Sequence, residues 1–161
     1  MRDMAKQYKI YLDVCCLNRP FDDLAQPRIR LEAEAVIGIL ERCQIGDWLM
    51  VSSTALISEI AQTPEEIRRQ QVMDLLAAAK IEMKVTSENI KRAGDRQRLG
   101  FKSIDALHIV CAEAAKVDAF ITTDDRLLRK AITHANQLDV QVQNPLTWIM
   151  EINAQLEGEN E

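Results

Sequence analysis

The stretch from Ser103 to Arg126 constrains the fold more than any other part of the chain. Ile104, Leu107, Cys111 and the Ala114/Ala115 pair recur at helical spacing. Ala119-Phe120-Ile121-Thr122 is then an apolar run of strand length that stops on Thr123-Asp124-Asp125. A helix feeding a buried strand that ends on two carboxylates is half of a doubly wound unit. In open parallel sheets of this kind the ligand crevice lies beyond the carboxyl ends of the strands, so Asp124 and Asp125 are predicted to stand where chemistry is done. Asp105, in the first turn of the same helix, joins them only if the turns at that edge converge on one crevice.

The rest of the chain repeats the alternation. Tyr8 to Leu12 reads as a first strand with Asp13 at its carboxyl end, after which Val14-Cys15-Cys16-Leu17 turns into a loop, Asn18-Arg19-Pro20-Phe21-Asp22-Asp23, suited to exposure. Leu31, Ala35, Val36, Ile39 and Leu40 mark an amphipathic helix from about Pro27 to Arg42. Trp48 to Val51 is a second strand, and Ser52-Ser53-Thr54 caps a helix that carries Glu59. Thr63-Pro64-Glu65-Glu66 has the form of a capping threonine, a proline at the first helical position and a glutamate three after the cap, which predicts a helix running to about Ala79. A third strand over Ile81 to Val85, helices over 88–99 and after Asp125, a last strand over Val140 to Val142 and a terminal helix from Leu146 to Leu156 with a frayed acidic tail complete the pattern. The predicted fold is α/β, a three-layer α/β/α sandwich around a central, mainly parallel sheet of about five strands, with residues 1–161 as a single domain.

Charge and cysteine usage narrow the function classes. With 25 acids against 20 bases the formal charge is -5, which argues against a protein that coats nucleic acid through bulk charge but leaves room for an enzyme with a local basic track. Cys15, Cys16, Cys43 and Cys111 lack zinc-ligand spacing, and two are adjacent, so reduced thiols and a cytoplasmic setting are expected. The start of the chain, Met1 to Lys6, is polar, and no stretch approaches the ~20 apolar residues of a membrane span, so no membrane partner is expected.

Laid on this map, Asp13, Glu59, Asp105 and Asp124 each fall at or just beyond the carboxyl edge of the sheet. Singly, each has an ordinary reading: Asp105 complements a helix dipole, Asp124 caps the next helix, Glu59 is a solvated helix residue. Together they are four like charges at homologous strand ends, and such a cluster is costly unless a cation neutralises it. Carboxylate oxygens select a hard divalent ion, Mg2+ or Mn2+, and with no His/Cys set in view zinc is not expected. Ions held this way serve phosphodiester hydrolysis.

Y-L-D-V near the start, S-S-T-A-L-I-S-E after the second strand and D-A-L-H-I-V-C-A-E-A-A-K-V-D-A-F-I-T-T-D resemble the PIN domain, a metal-dependent ribonuclease fold that includes the VapC-type toxins of toxin–antitoxin pairs. The resemblance covers nearly the whole chain. It implies an endonuclease acting on single-stranded RNA through Asp13, Glu59, Asp105 and Asp124, with Thr122 supporting the last acid by hydrogen bonding. It also implies a cognate antitoxin partner, and dimers are common in the family. Cys15 departs from the Ser, Thr or Asn that many relatives carry two residues after the first aspartate, which weakens the expected surroundings of the metal. The Asn18 to Asp23 segment lies outside the general motif; Arg19 is a candidate phosphate ligand there and Asp22 a candidate to reach the metal, with a solvated loop as the alternative, while Asp125 is an alternative fourth ligand that the Thr-x-Asp spacing ranks behind Asp124. Lys91, Arg92, Arg96, Arg98 and Lys102 crowd toward Asp105 and are candidate RNA contacts. His108, three residues after Asp105, is within reach of the crevice as a base but sits in an apolar helix that suits packing. Two other classes stay open: a catalytically silent PIN scaffold that binds a protein or RNA partner, and an aspartate-based phosphatase or phosphoacceptor. Against the latter, Cys15 stands where such enzymes carry a second aspartate.

Overall fold

A computed structural model describes residues 6–159. Five strands, β1 (Lys9–Leu12), β2 (Leu49–Ser53), β3 (Ile81–Met83), β4 (Ala119–Ile121) and β5 (Val142–Gln143), form one sheet in the order β3-β2-β1-β4-β5. Every pairing is parallel: Ile10 lies opposite Met50 on one side and Ala119 on the other, Val51 opposite Ile81, and Phe120 opposite Val142. The three inner strands are apolar nearly throughout because both of their faces are covered. Ile10, Tyr11, Met50, Val51, Phe120 and Ile121 are fully buried, each contributing roughly 1.5–3 kcal/mol where the side chain is large and apolar. The edge strand β3 alternates instead, with Glu82 exposed between two half-buried neighbours.

The helices are α1 (Val14–Asn18), α2 (Pro27–Gln44), α3 (Thr54–Ala61), α4 (Glu66–Leu76), α5 (Ser87–Arg98), α6 (Ser103–Ala114), α7 (Asp125–Thr133) and α8 (Pro145–Glu159), with short 3-10 turns at Arg19–Phe21 and Ala135–Gln137. On one face, α6 packs against β2 and β4 with α3 and α5 beside it. On the other, α2 pairs with α8, and Tyr8, Trp48 and Trp148 meet edge to face with ring centroids 4.8–6.1 Å apart. The result is an α/β/α sandwich with a wholly parallel sheet. Among the described residues, no helix is long and apolar enough to cross a membrane.

Several local expectations shift. The loop expected over Asn18 to Asp23 is largely coiled: Val14–Asn18 form α1, with Cys16 and Leu17 drawn into the core, and Arg19–Phe21 form a 3-10 turn. The capping pattern at Thr63 is not used. The Thr63 amide donates to the Ile60 carbonyl in the turn that ends α3, so α4 starts at Glu66, with Glu65 at its cap and no side-chain cap, and it stops at Leu76. The reciprocal capping pair forms instead between Thr86 and Asn89 at the start of α5. The terminal helix runs through Glu159; residues 1–5 and 160–161, including the end of the acidic tail, lie outside the described residues.

Candidate active site at the carboxyl ends of the strands

Parallel pairing brings the ends of β1, β2 and β4 to one edge; Asp13 and Asp124 arrive there from the turns after β1 and β4, Glu59 from within α3 and Asp105 from the first turn of α6. The Asp13 amide still donates to Ile121 O (2.9 Å) across the sheet, while its side chain caps α1 by accepting from the Val14 amide (2.9 Å). Its other oxygen accepts from Thr122 Oγ1 (2.8 Å) and from the Cys15 thiol (3.4 Å). The carboxylate is only 6% exposed, and burial, aided by the Cys15 sulfur and the charge of Glu59, pushes it well above the ordinary carboxylate range. Thr122, expected to support Asp124, reaches across to Asp13 because β4 lies beside β1. It meets Asp124 only through the backbone, whose amide donates to Thr122 Oγ1 (3.1 Å).

Asp124 caps α7, one oxygen accepting from the Arg126 and Leu127 amides (2.9 and 3.3 Å). The second oxygen accepts no hydrogen bond among the described residues, so the capping role leaves it free for a cation. Asp105 is half-buried in the first turn of α6 and accepts no hydrogen bond from the described residues. Burial raises its carboxyl, and the charge of Asp124, with which it shares a cleft, raises it further.

Glu59 comes from α3, and its Oε1 lies 2.6 Å from His108 Nε2. One turn along α6 from Asp105, His108 is fully buried, and its Nδ1 lies 2.7 Å from the Tyr11 hydroxyl. Tyr11 in turn lies 2.6 Å from Ser53 Oγ, which accepts from the Leu56 amide (3.0 Å). This chain of polar groups orients both the imidazole and Glu59. One ligand atom each from Asp13, Glu59 and His108 lies within 4.8 Å of the others. The i, i+3 spacing from Asp105 was the sequence signal for His108. What spacing could not supply was the Tyr11 and Ser53 hydroxyls that make a fully buried imidazole tolerable.

These donors suit a divalent cation. Among the described residues no lysine or arginine lies within ion-pair distance of Asp13, Asp105 or Asp124, and carboxylate oxygens with one imidazole nitrogen accommodate Mn2+ as well as Mg2+. The remaining candidates are engaged elsewhere. Asp22 is held by Arg19 (3.0 Å) and Arg68 (3.2 Å), and Asp125 by both terminal nitrogens of Arg28 (2.9 and 2.7 Å). Arg19 also donates to the buried Glu32 (3.1 Å), which leaves it a poor phosphate ligand. Arg92 and Arg96 meet Glu113 in the last turn of α6, ~12 Å along the helix from Asp105, and Arg98 pairs with Asp95. Lys91 is exposed on α5, whereas Lys102 lies beside Asp105.

No protein-family model matches the chain, and no curated protein matches its sequence. Its fold is similar to that of a chain in the crystal structure of VapBC2 from Rickettsia felis bound to a DNA fragment from their promoter. The TM-score is 0.54 with 12% identity, over 84% of this chain and 98% of that one. At that identity the likeness concerns the fold alone, and the fold is PIN-like.

Proposed function

We propose that the protein is a metal-dependent endoribonuclease that hydrolyses phosphodiester bonds in single-stranded RNA, with Mg2+ or Mn2+ held by Asp13, Glu59, Asp105 and Asp124. The observation that carries this reading is the meeting, at one sheet edge, of acids from separate stretches of chain, with no guanidinium or ammonium among the described residues within ion-pair distance of Asp13, Asp105 or Asp124. When bound there, a divalent ion lowers the pKa of an attacking water and stabilises the leaving oxygen. The chain's own groups prepare the site: Thr122 and Cys15 fix one Asp13 oxygen and the Val14 amide the other, the α7 cap fixes Asp124, and His108, locked by Tyr11, orients Glu59.

The likeness to a chain of VapBC2 supports a place among cytoplasmic toxin–antitoxin systems, this chain being the toxin, with a cognate antitoxin and a homodimer as its assemblies. The test is cleavage of single-stranded RNA by purified protein with Mg2+, with Mn2+ and with chelator, beside Asp105→Asn. Activity that persists in chelator, or in the variant, overturns the proposal. A protein stabilised by metal yet inert toward RNA is instead a metal-binding scaffold.

A further inference from the structure

Among the basic residues on the approach to Asp105 and Asp124, Arg92, Arg96 and Arg98 are tied to carboxylates. Lys102, Arg126 and Lys130 are not: no acid lies within ion-pair distance of them among the described residues. All three line a single cleft of about 190 Å³, and the same cleft is walled by Asp105 and Asp124. It is built from two turns. The first is the α5–α6 connection, where Gly100 takes a φ of +105° that a side chain would strain. A Cβ at Gly100 would also stand 3.0 Å from Lys130 Nζ, which instead donates to the Gly100 carbonyl (2.7 Å). That tether holds the ammonium at the cleft and leaves two of its three N–H donors for a ligand. The second turn is the start of α7, which carries Arg126 directly after Asp124 and Asp125.

The balance of charge says what the cleft takes. Within the lining of the cleft three cations face two carboxylates, a net charge of +1 with no ion bound, so the cleft attracts an anion, the more strongly with a divalent ion on the acids. Its volume falls below the ~300 Å³ at which pockets begin to enclose small-molecule ligands, which suits a phosphate and part of its sugar better than a whole nucleotide. We propose that this cleft is a backbone-phosphate subsite for the RNA strand, in which Lys102, Arg126 and Lys130 hold the phosphate next to the bond being cut. The proposal rests on the nuclease reading and adds where the strand lies. A contact of this kind positions the strand without reading its bases.

The experiment measures anisotropy of a short fluorescein-labelled single-stranded RNA in chelator, where nothing is cleaved, across a salt series. Lys102 and Arg126 are exposed and their side chains take no partner among the described residues, so Lys102→Gln/Arg126→Gln is expected to fold like wild type. It should bind about tenfold more weakly and show a log K against log salt slope shallower by about 1. Lys116→Gln, which removes one positive charge from the exposed turn before β4 at the opposite edge of the sheet, should leave both values as in wild type. Wild-type affinity and slope in the double variant, or an equal loss in Lys116→Gln, overturns the subsite. Metal-dependent cleavage by wild type, measured in parallel, separates the two ideas: if wild type cleaves while the double variant binds normally, the subsite falls and the nuclease reading stands. If wild type does not cleave, the nuclease reading fails, and the binding slopes alone judge the cleft.

Discussion

The chain buries acids in two ways. Glu113, at the end of α6, is 7% exposed and held by Arg96 (2.7 and 3.2 Å), by Arg92 and by the Asp139 amide (2.7 Å). Glu32 on α2 is 2% exposed and receives Arg19, Arg28 and Asn144 Nδ2 (2.6 Å). Asp13 is as deeply buried, at 6% exposed, but its partners are a hydroxyl, a cysteine sulfur and one amide, none of them cationic. Acids that serve the fold arrive with their arginines. Those at the carboxyl ends of the strands arrive without them, and this difference, more than the number of acids, marks the site.

Removing charge from each kind of acid is the sharpest way to test the contrast. Asp105→Asn should lower metal-dependent RNA cleavage by more than about 100-fold, the scale on which even partners of metal ligands act, while Glu113→Gln leaves cleavage per folded molecule unchanged. Equal losses in the two variants would erase the distinction. Stability should respond the other way. Arg96→Ala strips the closest guanidinium from a buried carboxylate and should cost about 3 kcal/mol, seen as a Tm lower by roughly 6–12 °C, because an unpaired buried charge is costly.

A divalent ion should supply at the site what arginines supply elsewhere. Mg2+ or Mn2+ at about 100 times its Kd should stabilise the protein by ~2.7 kcal/mol, raising Tm by roughly 5–10 °C, and the gain should shrink in Asp13→Asn. A Tm indifferent to millimolar metal would count against the site.

The smallest effect is on pH. Burial raises the carboxyls of both Asp13 and Asp105 above their unfolded values of about 4. Above that pH the native state therefore binds more protons than the unfolded state. In chelator, this contribution to stability is fully present below about pH 4 and is lost as pH rises through the raised folded-state values. Asp105→Asn should flatten the profile and raise Tm at neutral pH by about 2 °C, a modest gain because the site is half-open to water. A metal-free profile rising from pH 5 to 7.5, with the same slope in the variant, would contradict the like-charge account.

Much of this was legible in the order of residues. The alternation of apolar runs and amphipathic segments, with Asp13, Asp105 and Asp124 at its junctions, specified the α/β sandwich and the edge at which the acids would stand. The capping pattern at Thr63 misled because α3 had already taken the Thr63 amide, and the loop expected at Asn18 to Asp23 misled because its proline and acids hid a helical start that Cys16 and Leu17 anchor by packing inward. Arg19 and Arg92 looked available to RNA only because Glu32 and Glu113, distant in sequence, were not yet beside them.

Hydrophobic periodicity and strand length are local properties, written in neighbouring residues, so element type and sheet edge could be read directly. Partnership is not local. Whether a carboxylate meets an arginine, a hydroxyl or another carboxylate depends on which strands lie side by side. The pairing of β1 with both β2 and β4 brought Thr122 to Asp13 and, through Tyr11, Ser53 to His108. Folding separated the neutralised acids from the exposed need for a cation, because electrostatic pairing acts over a few ångströms of space and takes no account of distance along the chain.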